Sequence, residues 1–424
     1  MRVPVSSNDA MWLQESPQNP MVINAVAILD RIDLDTLRRV FTERVIEAGE
    51  GRRFARMRCR VVHLNRRAHW EPDPDFSIER HIYPPAGAPP RTLEDLQAFV
   101  GREASRPLPK DRPRWQFHFI EDFEDGASAL VVRIHHSIAD GLALVGLLFD
   151  FMDSQALPPP PDGLRKAAPV NPALVAARVA LETPGILLKR LLWWPDRHAL
   201  HGPQLSGDKR VAWTAPLDLA VVKAAKNQLG ATVNDVLMAS VSGAFTRYLA
   251  PQVGSLLTRL RVSMPVNVRP VHEPLELENR FAAVPLEIPA GDMSLEARIH
   301  AMKLRMDELK RSVAPLAVYG IQKALLALLP EVVSRALIDF LANKCTAVVT
   351  NVPGPPGDLS LAGRRVRGLL FWVPQRANIG VGISILSFAG KVQVGVMTDA
   401  HLLSDPAELV RAFEAEFEAL RLLN

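Results

Sequence analysis

Two adjacent histidines, followed four residues later by an aspartate and a glycine, are the residues of this chain best suited to chemistry. The segment reads His135-His136-Ser-Ile-Ala-Asp140-Gly141. Histidine titrates near neutrality, so an unprotonated imidazole can take a proton from an alcohol at cellular pH. The spacing therefore favours a histidine that acts as a general base.

The flanking sequence predicts how these residues are positioned. An apolar strand over 129–134 runs into the histidines, and an apolar helix over 141–152 follows them. Successive strand side chains face opposite sides, so one histidine can face a cleft while the other packs or hydrogen-bonds. Gly141 permits close backbone approach. The alternative is structural: Asp140 caps the helix and the histidines belong to the core.

Strands and helices alternate on both sides of a proline-rich break. Residues 158–161 are four consecutive prolines, which cannot continue a helix. We therefore expect a mixed α/β half over 1–155, a linker over 156–209 and a second half over 210–424. The predicted helices are 34–47, 92–105, 141–152, 222–229, 234–248, 295–311, 321–341 and 406–423. The predicted strands are 22–29, 54–64, 115–121, 129–134, 260–266, 281–288, 347–350, 366–372, 380–388 and 391–397.

Composition excludes several classes of protein. The 424 residues carry a net charge of only +4 with no long basic run, so nucleic acid is not an expected partner. Cys59 and Cys345 form no Cys-x-x-Cys pair, which argues against a zinc site or a disulfide framework and fits a reducing cytoplasm. We expect no metal, no cofactor, no signal peptide and no membrane-spanning helix.

Five ordered motifs carry a resemblance to a known family. The histidine motif resembles the signature of the acyltransferase superfamily that includes chloramphenicol acetyltransferases and condensation domains. The chain as a whole is similar to the bacterial wax ester synthase/diacylglycerol acyltransferase family. The other segments that resemble this family are 6–13, 107–115, 230–239, and 349–355 with 361–363.

This resemblance implies a fold and a reaction. The fold is two similar mixed-sheet α/β halves of the CoA-dependent acyltransferase type, with the active-site channel between them. The reaction is direct acyl transfer from acyl-CoA to a long-chain alcohol, giving a wax ester, or to diacylglycerol, giving triacylglycerol. The resemblance assigns the base to His136 and a supporting role to Asp140. The aspartate's expected arginine partner is Arg133 or Arg269.

Further polar residues are candidates for binding substrate or supporting the site. The chain has no Gly-x-Ser-x-Gly elbow, so no serine nucleophile of that type is expected. Without an acyl-enzyme, the reaction needs a base for the alcohol and a hydrogen-bond donor for the thioester oxyanion. Asn234, beside Asp235, is a candidate donor; its alternative is to cap the helix that begins there. Asn351, before Val-Pro-Gly-Pro-Pro, is expected to shape a turn.

Long-chain substrates partition into membranes, so we expect the protein to contact a membrane. Residues 186–194 combine leucines, two cations and two tryptophans, as interfacial segments do, although a packed linker helix is the alternative. We expect a cytoplasmic protein bound peripherally to the inner face of the membrane or to lipid bodies. Three arginines could meet CoA phosphates or form a solvated loop: Arg364, Arg365 and Arg367.

Departures from the family pattern leave the acceptor and acyl length open. Arg114 stands where leucine is usual, Glu278 where glycine is usual, and 398–401 replaces an Asp-Arg pair. Two alternative functions follow. One is an acyltransferase of the same fold that uses a carrier-protein thioester or an unusual alcohol. The other is a non-catalytic protein that binds lipid bodies.

Overall fold

The computed structural model describes residues 2–48, 54–65, 67–153, 172–202, 204–253, 257–269 and 276–423. The four prolines at 158–161, and with them the start of the expected linker, lie outside these ranges. The division of the chain at 155 and 210 therefore stays a prediction.

Eleven α-helices and sixteen strands are formed by the described residues. The helices are α1 Ser7–Ala10, α2 Leu34–Phe41, α3 Leu93–Ala104, α4 Gly141–Phe151, α5 Pro172–Leu192, α6 Leu219–Gln228, α7 Val233–Val253, α8 Leu295–Arg311, α9 Ala314–Leu328, α10 Glu331–Ala342 and α11 Ala407–Leu422. The strands are β1 Val3–Pro4, β2 Val22–Asp30, β3 Cys59–Leu64, β4 Arg67–Pro72, β5 Ile82–Tyr83, β6 Trp115–Phe123, β7 Ala127–His135, β8 Lys209–Trp213, β9 Leu217–Asp218, β10 Arg259–Asn267, β11 Phe281–Pro289, β12 Ala347–Pro353, β13 Ser360–Leu361, β14 Arg364–Trp372, β15 Val381–Phe388 and β16 Lys391–Asp399.

The first large sheet has the order β13-β14-β2-β7-β6-β5. Strands β2, β7 and β6 are antiparallel neighbours, and a left-handed turn at Asp125 and Gly126 joins β6 to β7. Strand β14 comes from the second half of the chain but pairs with β2 at the edge of this sheet. The second half is therefore built into the first through shared strands.

The second large sheet has the order β11-β10-β12-β15-β16-β8, with β9 pairing to β16. Its core consists of aliphatic residues from β10, β12, β15 and β16 that pack beneath α7, α8 and α11. Strands β10, β12 and β15 run parallel to one another, and the remaining pairs are antiparallel. The mixed α/β fold predicted from the sequence is confirmed.

Two of the local predictions were wrong. The helix expected over 321–341 is two helices, because α9 ends at Leu328 and Pro330 precedes α10. Proline has no N–H for the helix ladder and is favoured in the first turn rather than the interior of a helix. The strand expected over 54–64 begins only at Cys59, after a 3₁₀ turn over Ala55–Arg58.

No helix among the described residues is both long and apolar enough to cross a membrane.

Candidate functional site

The two histidines lie at the end of β7 and point in opposite directions, as the strand pattern predicts. His135 ends the strand, and the His136 N–H donates to the Met21 carbonyl at 2.7 Å, just before β2. The His135 ring contacts Ser137 and Glu15, whereas the His136 ring contacts Asn279 and Trp12. The histidine pair thus serves two separate environments.

The tautomer of His136 is fixed by Asn279, a residue of the second half of the chain. The Asn279 Nδ2 amide donates to Asp9 Oδ1 at 2.8 Å and to the His136 carbonyl at 2.7 Å. Both partners are pure acceptors, so the amide oxygen must be the atom that faces His136 Nδ1, at 2.9 Å. Nδ1 therefore carries the proton, and Nε2 keeps its lone pair free to accept one.

Asp9 holds Asn279 in this orientation. It is fully buried and also accepts from the Asn279 backbone N–H at 3.0 Å. Arg56 pairs with the second carboxylate oxygen of Asp9 at 2.9 Å and donates to the Ile138 carbonyl at 2.9 Å. One hydrogen-bond network thus ties the start of the chain, the histidine motif and residue 279 together.

The His136 ring is covered on one side by Trp12. The two ring centroids are 3.9 Å apart and the planes differ by 8°, and Phe281 lies 5.6 Å away. His136 is only 5% exposed, and this burial lowers its pKa to about 4. Desolvation disfavours the charged imidazolium, so the ring is neutral across the physiological pH range. A neutral imidazole with a free Nε2 is the form that a general base requires.

His135 belongs to a second buried cluster on the other face of the strand. The Ser137 N–H donates to its Nδ1 at 3.2 Å, and its Nε2 lies 3.5 Å from Glu15. Burial lowers the pKa of His135. Burial opposes ionisation of Glu15, but the bond to His135 and the charge of Arg114, 3.8 Å away, hold the pKa of Glu15 below its usual value. This cluster supports the strand end behind His136.

Asp140 both caps α4 and forms an ion pair. One carboxylate oxygen accepts from the Ala143 N–H at 3.1 Å, and the other accepts from the Arg280 N–H at 2.9 Å. Of the two candidate arginines, Arg269 makes the pair, at 2.7 Å, while Arg133 pairs with Glu103 at 3.0 Å. Asp140 therefore fastens the loop over 278–280, which carries Asn279, against the histidine motif.

Asn234 and Asn351 contact each other, but neither has the local role considered from sequence. The helix cap is Thr232, which exchanges hydrogen bonds with Asp235, so Asn234 is not the capping residue. Asn351 does not shape a turn; it lies within β12 and donates to Asn234 Oδ1 at 2.9 Å. Within the described part of the chain, no hydrogen bond joins this pair to His136. Gly141 begins α4, where a Cβ would meet Val352 at 3.8 Å.

Three site residues were missed from the sequence: Asp9, Trp12 and Asn279. Asp9 and Trp12 lie in the segment 6–13, and Asn279 follows Glu278, which the sequence marked only as a departure from the family pattern. No spacing rule links positions separated by 270 residues, as Asp9 and Asn279 are. Among the described residues, no group of three or more His, Cys, Asp and Glu side chains could hold a metal ion.

Two solved structures have the same fold as this chain. A wax ester synthase/diacylglycerol acyltransferase from Marinobacter aquaeolei VT8 is 20% identical and superposes with a TM-score of 0.72 over 99% of each chain. The first condensation domain of a calcium-dependent antibiotic synthetase is 16% identical, with a TM-score of 0.65 over 99% of this chain and 95% of that one. The fold is that of the acyltransferases and condensation domains.

Sequence comparison narrows the class to one family. Residues 5–194 match the wax ester synthase/diacylglycerol acyltransferase catalytic domain, and residues 277–421 match the WS/DGAT C-terminal domain. A Mycobacterium tuberculosis relative named as a diacylglycerol O-acyltransferase is 27% identical over 98% of this chain and 95% of its own. A second one is 24% identical over 81% of this chain and 79% of its own. The chain belongs to the wax ester synthase/diacylglycerol acyltransferase family, and it is an acyltransferase.

Proposed function

We propose that this enzyme moves a long-chain acyl group directly from acyl-CoA to a long-chain alcohol or diacylglycerol, with His136 as the general base. Nε2 of His136 takes the hydroxyl proton while the alcohol oxygen attacks the thioester carbon. The tetrahedral intermediate then collapses to the ester, and the proton passes to the departing CoA thiolate. Two bonds change at the acyl carbon: the C–S bond breaks and a C–O bond forms.

The observation that carries this proposal is the fixed tautomer of His136. Asp9 and the His136 carbonyl orient the Asn279 amide, and that amide leaves Nε2 as the acceptor. A neutral, preoriented imidazole spends no free energy on reorientation when the alcohol arrives. The roles of His135, Asp140 and Gly141 are then to support the base. Asn234, Asp235 and Asn351 remain candidates for positioning substrate in the second half.

Direct transfer is favoured because neither thiol is suited to form an acyl-enzyme. Cys59 and Cys345 are both buried, and burial raises the pKa of Cys345 to about 12. A thiol with such a pKa supplies almost no thiolate near neutrality. The Ser137 hydroxyl lies beside His135 at 2.8 Å, but it is fully buried on the side of the strand end away from His136.

We further propose that the enzyme binds a lipid surface peripherally, on the cytoplasmic side of the membrane or on lipid bodies, through α5 and the segment after it. Large apolar side chains on this surface are exposed, including Leu181 at 81%, Leu192 at 68% and Trp194 at 78%. Lys189 adds a cation that favours anionic headgroups. Trp193 differs from its neighbour, because it is only partly exposed and stacks with Lys189 and Arg261.

One assay tests the proposed reaction. Labelled palmitoyl-CoA is incubated with hexadecanol or dioleoylglycerol, and the products are separated by thin-layer chromatography. A labelled wax ester or triacylglycerol supports the proposal. Product only with a carrier-protein thioester would support that alternative donor, and lipid binding without product from any donor would support a non-catalytic lipid-body protein.

A further inference from the structure

Trp12, which covers one face of the base, is part of a cluster that two surface helices also contact. Trp12, which stacks on His136, forms a small apolar cluster with Met11 and Met21. Leu326 of α9 and Ile338 of α10 pack against this cluster from outside. His136 therefore stacks on one member of a cluster that also packs against both helices. His136 is 5% exposed with this cluster in place.

The same helices are weakly held to the rest of the molecule. The single fully buried residue of α10 is Ser334, so every apolar side chain of that helix is at least partly exposed. In α9 the fully buried residues are Ala317 and Val318, near its start, so none follows from residue 319 onward. A segment with little buried apolar surface opens at low cost in free energy. We define the lid as residues 319–342.

Few polar contacts fasten the lid. The Asn8 side chain donates to the Tyr319 hydroxyl at 2.7 Å. Arg376 donates to Asp339 at 2.7 Å and to the Met11 carbonyl at 3.3 Å, so it connects α10 to the turn that carries Trp12. These contacts join the lid to the same short segment, α1 and the turn after it, that holds the base. Movement of the lid would therefore displace the segment that carries Trp12.

The outer face of the lid is apolar. Leu328 and Val332 are each 80% exposed, and Phe340 is 48% exposed. The charged side chains of the lid are the exposed Lys323 and Glu331, and Arg335, whose side chain is 42% exposed and pairs with Asp339. Helix α9 packs against α5, which carries exposed leucines of its own. Two neighbouring helices that both expose large apolar side chains and a lysine fit a lipid surface better than water or an acidic protein partner.

We propose that residues 319–342 are a lid that opens when its outer face docks on a lipid surface, so that His136 is uncovered only where the lipid acceptor is present. The activity readout of this proposal rests on the proposed acyl transfer, but the movement itself does not. In this proposal, opening carries Leu326 and Ile338 away from the cluster of Met11, Trp12 and Met21 and creates a path from the lipid phase to Nε2. A closed lid in water would also protect acyl-CoA from hydrolysis.

The movement is tested by a distance measurement that needs no turnover. Spin labels are placed at two exposed positions, Ala336→Cys on α10 and Leu422→Cys on α11, in the full chain. Pulsed dipolar spectroscopy then compares the protein alone with protein bound to phosphatidylcholine–phosphatidylglycerol vesicles. The proposal predicts a shift of roughly 5–10 Å, about one helix radius to one diameter, on vesicle binding. A Leu304→Cys and Leu422→Cys pair, on α8 and α11, should not shift. Equal lid distances with and without bound vesicles would overturn the lid.

The kinetic consequence is tested with exposed substitutions that should not disturb folding. Leu328→Gln with Val332→Gln should lower the rate on vesicle-borne acceptor about tenfold and spare the rate on a short soluble alcohol. The matched control is Leu304→Gln with Leu422→Gln, two leucines that are 56% and 88% exposed elsewhere, and it should leave both rates unchanged. An equal loss in both variants would overturn the proposal. If no form makes ester, the proposed function has failed, and the distance measurement still decides the lid.

Discussion

Removing the Asp140 carboxylate should cost mainly stability, and the structure indicates how much. Asp140 is 4% exposed and Arg269 is 8% exposed, with 2.7 Å between their charged groups. Asp140→Ala leaves the guanidinium buried without its partner, which typically costs about 3–5 kcal/mol. The lost cap of α4 adds about 1 kcal/mol. Since natural domains are stable by about 5–15 kcal/mol, the variant should be close to unfolding.

A double-mutant cycle separates the contributions. Asp140→Asn keeps a capping side chain for the Ala143 N–H but removes the charge, so it should lose less stability than Asp140→Ala. Adding Arg269→Met removes the unpaired charge and should recover a large part of the loss, because the variant then has no isolated buried ion. Urea unfolding of the single and double variants gives the free energies.

Activity measured on the same variants decides the role of Asp140. If the aspartate only fastens the loop that carries Asn279, kcat should recover with stability in the Asp140→Asn, Arg269→Met variant. A variant that unfolds at the wild-type urea concentration but has lost turnover about 10³-fold would refute this reasoning, and would place Asp140 in the chemistry.

Four further predictions concern the base, the route of acyl transfer and the lipid-facing surface. Burial lowers the pKa of His136 to about 4, so kcat should stay nearly constant from neutrality to about pH 5.5. An ordinary histidine, with a pKa of about 6.5, would instead make kcat fall near that pH. A pH–rate profile on folded protein distinguishes the two. The pKa of His136 is lower in the folded state than in the unfolded state, so His136 destabilises the fold as pH drops from about 6.5 toward 4. The free energy of unfolding should fall by on the order of 2 kcal/mol at about pH 5. Urea titrations at each pH would detect this loss. Direct transfer predicts intersecting double-reciprocal plots when both substrates are varied. Mass spectrometry after incubation with acyl-CoA alone should show unmodified protein. A stoichiometric acyl adduct, for example on Ser137, that is removed by added alcohol would exclude direct transfer. Trp194→Ser should weaken sedimentation with vesicles. Trp193→Ser should chiefly lower the melting temperature, because the Trp193 ring stacks with Lys189 and Arg261. Equal vesicle binding by the Trp194 variant and the wild type would reject the interfacial role.

Local patterns in the sequence predict much of the fold because each is written within a short segment. The strand that ends at His135, the capping box at Thr92 and the helix over Leu295–Arg311 need only nearby residues. The shared strand β14 is different, since its own sequence indicates a strand but not the partner β2. Pairing between distant segments depends on the whole topology, which composition and periodicity do not specify.

In the candidate site, too, residues close in sequence could be predicted and contacts between distant segments could not. The histidine pair and Asp140 could be found from spacing, but the choice of Arg269 over Arg133 required three-dimensional proximity. Asn279 contacts His136 across 143 residues of sequence, and its only sequence signal was that it follows Glu278, where the family pattern has glycine. The capping role considered for Asn234 was wrong because Thr232, two residues earlier, provides the cap.

The most direct test of the account is the turnover number of His136→Ala, measured with palmitoyl-CoA and a lipid acceptor on protein shown by circular dichroism to be folded. The account predicts that kcat falls by about 10²–10⁴, the usual share of general-base catalysis. His135→Ala should reduce kcat less, and through stability, because that ring faces Glu15 and Ser137 rather than the site. Near-normal turnover by folded His136→Ala would contradict the assignment of His136 as the base.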